Sequence, residues 1–464
     1  MGGEIIFIDR FEERDFFEKI LNSNRKEVFI LYGRRRIGKS FLLKEVSKNK
    51  NALYYTARKI SPKEQLKIFS MKVGEFLNFG KINFENWEDA FRILFELSKK
   101  ENLILILDEF QYMVEKNQEM LSILQLLIDE FENSKIKLIL CGSSISFMEG
   151  ILSYNNPLYG RKTGNLMLNP IAFKDISLFL PNYDYHFLMI VYSIIGGVPY
   201  YLQLWDNNID IFENIEKLFL TLGAPLKEEP YFILTQELRE TSVYQSILEA
   251  LANGKTRINE ITTFIGEKDS RKIQPYLKSL QLLKIVKRIY PAFTKNPHRI
   301  KNFLYKIDDQ LFNFWYRYIF PYKENVDLND YSNVLEVIKR DLPQYVSFEF
   351  EKQSINYLKE KFNLIEAGNY WNKDIEIDML GKDFENKIYA AEIKWRNRKM
   401  NVKDFYNLKL KTERLKMEID NFILVSKSGF EENLIRLLEE EKIILIEFTA
   451  EKGWKILKSS DGIY

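Results

Sequence analysis

The stretch EVFILYGRRRIGKS, residues 27–40, decides the fold of this 464-residue chain. Its first part, Glu27 to Tyr32, is an apolar, β-branched and aromatic run, which predicts a buried strand. Gly33 to Ser40 then match the spacing G-x-x-x-x-G-K-S/T, and the helical pattern Phe41–Val46 follows directly. Strand, glycine-rich loop and helix in this order predict a phosphate-binding loop on a parallel α/β sheet. The alternative is a chance glycine-rich turn, which would not need to lie between a strand and a helix.

Each type of residue in the loop has a different task. Glycines let backbone N–H groups approach phosphate oxygens, and a helix starting near Gly38 turns its positive end toward them. Lys39 would reach the β- and γ-phosphates, and Ser40 would bind Mg²⁺. We therefore predict ATP and Mg²⁺ as cofactors. The predicted nucleotide-binding residues of the loop are Gly33, Arg34, Arg35, Arg36, Ile37, Gly38, Lys39 and Ser40.

A second apolar run, Leu103 to Leu107, ends in two acids. Asp108 is the predicted magnesium ligand, and Glu109 is predicted to polarise the attacking water. Acidic residues commonly end strands, so this feature is informative only in combination with the loop. Further strands are expected at Ala52–Thr56 and Ile136–Leu140, and a helix at Met120–Phe131.

The strand Ile136–Leu140 is followed by Cys141, Gly142, Ser143 and Ser144. The two serines would place a hydroxyl beside the γ-phosphate if this strand neighbours the two motifs, and a plain turn is the alternative. Cys141 is expected to be a buried core thiol, as free cysteines usually are.

Composition excludes several classes of protein. There are 68 Lys and Arg against 66 Asp and Glu, two His and one Cys. His186, His298 and Cys141 are too few for a Cys/His zinc cluster, and one cysteine forms no disulfide within the chain. No apolar run approaches the roughly 18 residues of a membrane span, and the N-terminus has no signal-peptide pattern. We expect a cytoplasmic protein without a membrane partner.

Residues 240–320 change to short helices with polar turns and a possible strand pair, which predicts a winged helix. Between Lys284 and Lys306 there is no Asp or Glu, so this basic stretch could contact DNA phosphates. A solvated surface or a protein-binding adaptor is the alternative. The aromatic stretch FNFWYRY, residues 312–318, is expected to pack in a core. The seven cations are Lys284, Lys287, Arg288, Lys295, Arg299, Lys301 and Lys306.

Residues 323–345 are expected to be a linker with some helix, and a third α/β domain should follow. Its expected elements are a helix at Phe348–Lys361, strands at Ile375–Leu380 and Lys387–Trp395, a basic helix near 403–417, a strand at Phe422–Val425, a helix at Glu431–Glu440 and a strand at Ile443–Phe448.

Three charged residues in this domain suggest a second site. If the two strand-like runs form a hairpin centred near residue 385, Asp378 and Glu392 face each other and can share a divalent cation. Lys394 lies on the same face as Glu392, because side chains alternate along a strand. Glu349 or Glu351, on the preceding helix, would complete the metal site. An exposed hairpin with solvated charges is the alternative.

Several segments together resemble the archaeal ATPase family, which belongs to the AAA+/STAND-like P-loop ATPases. They are GRRRIGKS (33–40), LDEFQYM (107–113), CGSSISF (141–147), YGRKTGNLMLNPI (159–171), GGVPYYL (196–202) and YKIDDQLFNFWYRYIFPY (305–322). The resemblance implies a winged helix and a C-terminal nuclease-like domain. It also implies that Arg161 is an arginine finger or γ-phosphate sensor, acting within its own chain or on a neighbour, with local pairing as the alternative.

Two further implications depend on this resemblance. The family start IDREE corresponds here to Ile8-Asp9-Arg10-Phe11-Glu12, and the Phe11 departure leaves a role of Arg10 in the adenine pocket open. GGVPYYL would turn a helical lid over the nucleotide. The spacing D-x(13)-E-x-K resembles a PD-(D/E)XK nuclease core, in which Phe350-Glu351 would supply the extra acid.

The expected organisation is a P-loop ATPase domain with a helical lid at 1–235, a winged helix at 236–322, a linker at 323–345 and a restriction-endonuclease-like domain at 346–464. The leading hypothesis is an ATPase whose nucleotide state repositions the winged helix on DNA, while a Mg²⁺-dependent nuclease-like domain cuts or holds the strand. One alternative is a regulatory switch that binds protein partners or associates with itself and whose C-terminal acids are catalytically inactive. Another is a DNA-binding ATPase without nuclease function.

Overall fold

A computed structural model describes residues 10–296, 300, 302–439 and 441–459. The chain divides into two compact units. The first contains the chain up to Ile171 together with Val198–Tyr200, and the second contains Ala172–Gly197 together with the chain from Tyr201 onward. In the described part of the chain, no helix is long and apolar enough to cross a membrane.

The first unit is built on a five-stranded sheet with strand order β2-β3-β4-β1-β5, in which every pairing is parallel. The four strands that the apolar runs predicted are confirmed, and only β5 was not expected. The strands are β1 (Glu27–Tyr32), β2 (Ala52–Thr56), β3 (Leu103–Asp108), β4 (Ile136–Gly142) and β5 (Gly164–Met167). The helices are α1 (Phe11–Leu21), α2 (Lys39–Ser47), α3 (Pro62–Phe76), α4 (Trp87–Leu97), α5 (Gln111–Val114), α6 (Glu119–Glu130) and α7 (Ile145–Ile151).

The three central strands β3, β4 and β1 are buried at every position. Their continuous apolar runs favour this burial, since helices cover both faces of a parallel sheet. One face packs against aromatic side chains of α3 and α4, with Phe69 lying 5.2 Å from Phe91 between ring centroids. The carboxyl ends of β1, β3 and β4 therefore meet at one edge of the sheet, which positions the nucleotide motifs.

The second unit begins with helices and a two-stranded antiparallel sheet. The three helices between residues 242 and 282, followed by this hairpin, have the element order expected of a winged helix. We call the hairpin, residues 286–307 as far as described, the wing. The helices are α8 (Tyr185–Ile195), α9 (Pro199–Leu204, which begins in the first unit), α10 (Ile211–Ile215), α11 (Glu229–Glu237), α12 (Ser242–Ala252), α13 (Ile258–Phe264) and α14 (Gln274–Leu282). The wing strands are β6 (Val286–Ile289) and β7 (Leu304–Ile307), and α15 (Gln310–Phe314) follows.

The aromatic stretch at 312–318 forms core, as predicted. Phe312, Phe314, Trp315, Tyr316 and Tyr318 are all buried. The Trp315 indole N–H donates to the carbonyl oxygen of Lys227 at 2.6 Å. These side chains are therefore withdrawn from any nucleic acid.

The stretch expected as a linker is mostly helix. It contains α16 (Lys323–Asp327) and the first half of α17 (Ser332–Lys361), so the expected boundary at residue 346 falls inside one continuous helix. Pro343 removes one backbone hydrogen bond inside α17. The helix persists because it buries an apolar face, in which Ile338 and Leu342 are covered and the Tyr345 hydroxyl donates to the Ser193 carbonyl at 3.1 Å.

The C-terminal part is a six-stranded mixed sheet with order β13-β12-β11-β10-β9-β8. The central pairs β10–β11 and β11–β12 are parallel, and the flanking pairs are antiparallel. The expected strands and the helix near 403–417 are confirmed. Of the helix expected at Glu431–Glu440, the α-helical part is limited to Glu432–Arg436, and Glu440 lies outside the described residues. The edge strands β8 and β13 were not expected. The elements are β8 (Glu366–Trp371), β9 (Glu376–Lys382), β10 (Ile388–Lys394), α18 (Val402–Arg414), β11 (Asn421–Ser426), α19 (Glu432–Arg436), β12 (Ile443–Thr449) and β13 (Gly453–Ser459).

Candidate functional site

The glycine-rich loop connects the end of β1 to the start of α2. Gly33 has φ +151°, and a Cβ there would lie 2.6 Å from the carbonyl oxygen of Leu168. Gly38, at φ +94°, is the residue immediately before α2. Both positions require glycine, one for space and one for its backbone conformation. The first turn of α2 consequently directs its N–H groups toward the loop, as a phosphate site requires.

The Lys39 side chain lies within this loop. Its ammonium donates to the carbonyl oxygens of Gly33 and Arg34 at 2.7 and 2.9 Å. Burial lowers the pKa of Lys39, while the carboxylates of Glu109 and Asp108 act in the opposite direction. The ammonium is thus held by two neutral acceptors, which a nucleotide phosphate would replace with a charged one.

Ser40 and Asp108 meet although 68 positions separate them. The Ser40 hydroxyl donates to Asp108 Oδ2 at 2.7 Å, and the Tyr54 hydroxyl donates to the same oxygen at 2.7 Å. Burial raises the pKa of Tyr54, and so does the charge of Asp108, so its hydroxyl remains a donor. A serine hydroxyl and a carboxylate beside a phosphate loop are a donor set that fits Mg²⁺.

Glu109 is held by two polar side chains at the end of β4 and the start of α5. The Ser143 hydroxyl donates to Glu109 Oε2 at 2.6 Å, and the Gln111 amide donates to the same oxygen. Gln111 also donates to Ser143 Oγ at 3.2 Å. Glu109 has φ +53°, a conformation that side chains rarely adopt and that recurs at functional sites. Ser143 therefore lies beside the predicted catalytic acid.

The other loop residues are also anchored within the first unit. Arg35 donates to the Tyr112 hydroxyl at 2.6 Å, and the Arg36 guanidinium lies 4.3 Å from the ring centroid of Tyr200, which belongs to the GGVPYYL segment. Arg10 donates to the carbonyl oxygens of Ile37 at 2.9 Å and Asn169 at 2.8 Å.

These contacts give Arg10 a place beneath the loop, where it supports the backbone of residue 37. The preceding Ile8 and Asp9 of the family start lie outside the described residues.

Arg161 lies at the opposite edge of the sheet. Its guanidinium pairs with Asp129 through Nε at 2.8 Å and Nη2 at 2.7 Å. Nearby, the Thr163 backbone N–H donates to the carbonyl oxygen of Val28, in the amino-terminal half of β1. The glycine-rich loop follows the other end of β1. The structure therefore does not bring Arg161 close to Lys39. Arg161 instead forms the local ion pair with Asp129. Its action on the nucleotide of a neighbouring chain stays a prediction.

The C-terminal carboxylates meet at one lysine. Lys394 Nζ lies 2.6 Å from Glu392 Oε1 and 3.1 Å from Asp378 Oδ2. The register Ala391↔Met379 places residues 378 and 392 opposite each other, as the hairpin argument predicted. The backbone N–H of Ile393 donates to Asp378 Oδ2 at 2.8 Å.

Of the two glutamates on the preceding helix, Glu351 faces this cluster. Asn369 donates to Glu351 Oε1 at 2.5 Å and to the carbonyl oxygen of Asp378 at 2.9 Å. Burial raises the pKa of Glu351 above its usual range, and the charge of Asp378 acts in the same direction. Glu349 instead accepts from Gln310 at 3.0 Å. We call Glu351, Asn369, Asp378, Glu392 and Lys394 the carboxylate cluster.

The predicted metal site at Glu351, Asp378 and Glu392 is not assembled as a group of three ligands. Within the described ranges, no three or more His, Cys, Asp or Glu side chains are arranged to hold a metal ion. The cation between Asp378 and Glu392 is the ammonium of Lys394, and a second ammonium, that of Lys411, lies 3.4 Å from Glu392 Oε2.

Sequence reasoning did not identify Tyr54, Gln111 or Asn369. Tyr54 belongs to an apolar strand and Asn369 to a polar edge strand, and neither position carries a motif. Gln111 follows Glu109 by two residues within LDEFQYM, and that closeness was a signal that could have been used.

The fold and the glycine-rich loop define a P-loop ATPase domain in the first unit. A family described as an ATPase domain predominantly from Archaea matches residues 7–204, and one described as archaeal and bacterial proteins of unknown function matches residues 315–405. The chain belongs to the archaeal ATPase family.

Similar proteins agree with this membership. Uncharacterized protein MJECL04 of Methanocaldococcus jannaschii is 34% identical over 412 residues, covering 86% of this chain and 90% of that protein. Uncharacterized ATP-binding protein MJ0423 of the same organism is 46% identical over 50 residues, covering 11% of this chain and 85% of that protein. Among solved structures, the Walker-type ATPase PABY2304 of Pyrococcus abyssi has a TM-score of 0.52 at 21% identity, covering 67% of this chain and 96% of that one; it shows a similar fold.

Proposed function

We propose that the first unit binds Mg²⁺-ATP and hydrolyses it. The observation that carries this proposal is the 2.7 Å contact of Ser40 with Asp108 at the end of a phosphate-binding loop. Lys39 would exchange its two carbonyl partners for the phosphates, and the N–H groups of the loop would hold the phosphate oxygens. Bound Mg²⁺ would neutralise charge that develops on the phosphates.

We assign Glu109 as the general base that activates the attacking water. Ser143 and Gln111 both donate to its Oε2, so we assign Oε1 as the oxygen that accepts the proton. Two donors on one oxygen also fix the direction of the carboxylate, which a positioned general base requires.

The substitution Lys39→Ala tests nucleotide binding. We expect it to abolish ATP binding measured by calorimetry in the presence of Mg²⁺, because the ammonium supplies the charge that meets the phosphates. Lys48→Ala, an exposed lysine at the end of the same helix, is the matched control and should bind as wild type does. Wild-type ATP affinity and hydrolysis in the Lys39→Ala protein would contradict the proposal.

We further propose that the second unit associates with nucleic acid. The basic stretch beginning at Lys284 supports this, since cations without acids among them attract phosphates. Of its members, Lys287 is engaged with Asp308 at 2.7 Å, while Lys284 and Lys295 are exposed. Arg299 and Lys301 lie outside the described residues. Affinity for an oligonucleotide should therefore fall with salt concentration.

A second candidate function is Mg²⁺-dependent cleavage at the carboxylate cluster. The observation in its favour is that Asp378 and Glu392 converge on one ammonium, so the two carboxylates could share a divalent ion once that ammonium turns away. The competing proposal is a regulatory switch that holds a nucleic-acid strand or a protein partner without cutting nucleic acid.

A metal-titrated cleavage assay separates these proposals. If the cluster cuts, wild type should nick labelled DNA only with Mg²⁺, and Asp378→Ala and Glu392→Ala should each lose this activity. Glu376→Gln changes an exposed acid on the same strand and should cut like wild type. Equal or absent cleavage in all four proteins would exclude the nuclease and leave the switch.

A further inference from the structure

A cavity of about 760 Å³ lies within the second unit, between the wing and the carboxylate cluster. One wall comes from the wing and includes Arg288 and Lys306; the other comes from α17 and β8 and includes Glu351 and Asn369. Two hydrogen bonds seat the wing on the edge strand β8. The Ala292 N–H donates to the Asn369 carbonyl at 2.8 Å, and the Phe293 N–H donates to Glu366 Oε1 at 2.6 Å.

A network of partly exposed charges links the two walls. Asp308, which follows the wing, lies 2.7 Å from Lys287 and 3.0 Å from Lys352 of α17. Gln310 donates to Glu349 at 3.0 Å beside this pair. Together these contacts link the wing to α17 beside the cavity. The two walls are therefore connected by charged and polar side chains.

The wing wall carries cations and aromatic rings. Tyr305 of β7 is buried, so its neighbour Lys306 projects from the opposite face, where its charge acts on Glu351. Arg288 and Tyr290 also line the cavity on this wall, and Phe348 lines it on the wall that comes from α17. Cationic groups interleaved with aromatic rings are the chemistry that binds single strands, because phosphates need charge and bases stack on rings.

We propose that this cavity binds a single strand of nucleic acid and leads it to the carboxylate cluster, with Lys306 contacting a phosphate. This inference rests on the proposed association of the second unit with nucleic acid, and it names where and in which form the strand binds. A volume of this size is in the range of small-ligand pockets, roughly 300–1,000 Å³. It accommodates a few nucleotides of one strand and excludes a duplex.

Protection of an introduced thiol tests the position of the strand. Cys141 is buried, so a cysteine introduced at an exposed position would be the reactive thiol. Phe348 lines the cavity and is 55% exposed, and Phe384 is 79% exposed in the β9–β10 turn, outside this cavity. The rate at which a thiol-reactive fluorophore labels Phe348→Cys and Phe384→Cys would be measured with and without a (dT)12 oligonucleotide.

We expect the oligonucleotide to slow labelling of Phe348→Cys at least about fivefold and to leave Phe384→Cys unchanged, while a blunt duplex of the same length protects neither. Equal effects on both variants, or protection of Phe348→Cys by the duplex alone, would overturn the proposal.

A charge substitution supplies an independent readout. Lys306→Gln should weaken (dT)12 affinity and reduce the slope of log affinity against log salt by about one, as expected for the loss of one phosphate contact. Lys268→Gln removes an exposed charge between α13 and α14 and should retain both wild-type values. Wild-type protein that binds no oligonucleotide would refute the nucleic-acid function itself; binding that is unaffected by Lys306→Gln would refute only the cavity as its site.

Discussion

At the scale of single residues, Asp108 is the point where the nucleotide site converges. One of its carboxylate oxygens accepts hydrogen bonds from Ser40 of the loop and from Tyr54 of β2, each at 2.7 Å. If Ser40 turns to Mg²⁺, the Tyr54 hydroxyl continues to orient Asp108, together with the Glu109 backbone N–H, which donates to Asp108 Oδ1 at 3.0 Å. Groups that orient a metal ligand in this way commonly contribute about 10- to 100-fold to metal affinity.

Tyr54→Phe should therefore weaken the Mg²⁺ dependence of ATP binding by about tenfold, because it removes only the hydroxyl that orients Asp108. The measurement is a magnesium titration at fixed ATP, followed by calorimetry or nucleotide fluorescence. Tyr55→Phe is the matched control. Its hydroxyl contacts Gln65 at 3.2 Å, so that variant should retain the magnesium dependence of wild type. A Tyr54→Phe protein with wild-type magnesium dependence would show that Tyr54 only fills space.

At the scale of elements, the wing is tied to α17 through Asp308. The Lys352 and Lys287 charges lower the pKa of Asp308 from 3.8 to about 2, against the opposing effect of burial. Because the folded pKa is below the unfolded one, the unfolded chain binds more protons between pH 4 and 2. The stabilisation is thus fully present above about pH 4 and is lost as the pH falls toward 2.

Asp308→Asn should lower the free energy of unfolding of the second unit by about 1 kcal/mol at pH 7, because solvent screens these partly exposed ion pairs and reduces their contribution below what the pKa shift alone implies. The difference from wild type should shrink below about pH 4, because the Asp308 carboxyl of the unfolded chain binds a proton there before that of the folded chain does. Denaturant titrations at pH 7 and pH 3 measure it. Asp330→Asn, an exposed acid before α17, should match wild type at both values. A difference that stays constant with pH would contradict the charge network.

Elements with continuous apolar runs could be predicted from sequence, while those that depend on packing could not. The strands β1, β3 and β4 are uniformly buried, so their composition alone defines them. The edge strand β8 contains Glu366, Gly368 and Asn369 and pairs through backbone on one side, which composition does not reveal. Pro343 lies in the stretch that was expected to be a linker, whereas burial of its neighbours maintains α17 there.

The candidate sites follow the same division. Residues of contiguous motifs, such as Lys39, could be assigned directly. Tyr54 reaches Asp108 from a different strand, so only the folded sheet brings the two together. For Lys394, strand alternation predicted the correct face, but the charge balance that places it between two carboxylates required the three-dimensional structure.

At the scale of the whole molecule, the near balance of 68 basic and 66 acidic residues conceals distinct local surfaces. The first unit places acids at the end of a parallel sheet beside a phosphate loop. The second unit combines a basic wing with the carboxylate cluster, of whose three acids Glu392 is buried. We propose that ATP hydrolysis in the first unit controls how the second unit holds a nucleic-acid strand.

The measurement that tests this account most directly compares ATP binding and hydrolysis by full-length wild type and Glu109→Gln. We predict Mg²⁺-dependent hydrolysis by wild type. Glu109→Gln should bind ATP with similar affinity but hydrolyse it at least about 100-fold more slowly, because a positioned general base contributes about 10²- to 10⁴-fold. Hydrolysis at the wild-type rate by Glu109→Gln, or wild-type protein that neither binds nor hydrolyses ATP, would contradict the account.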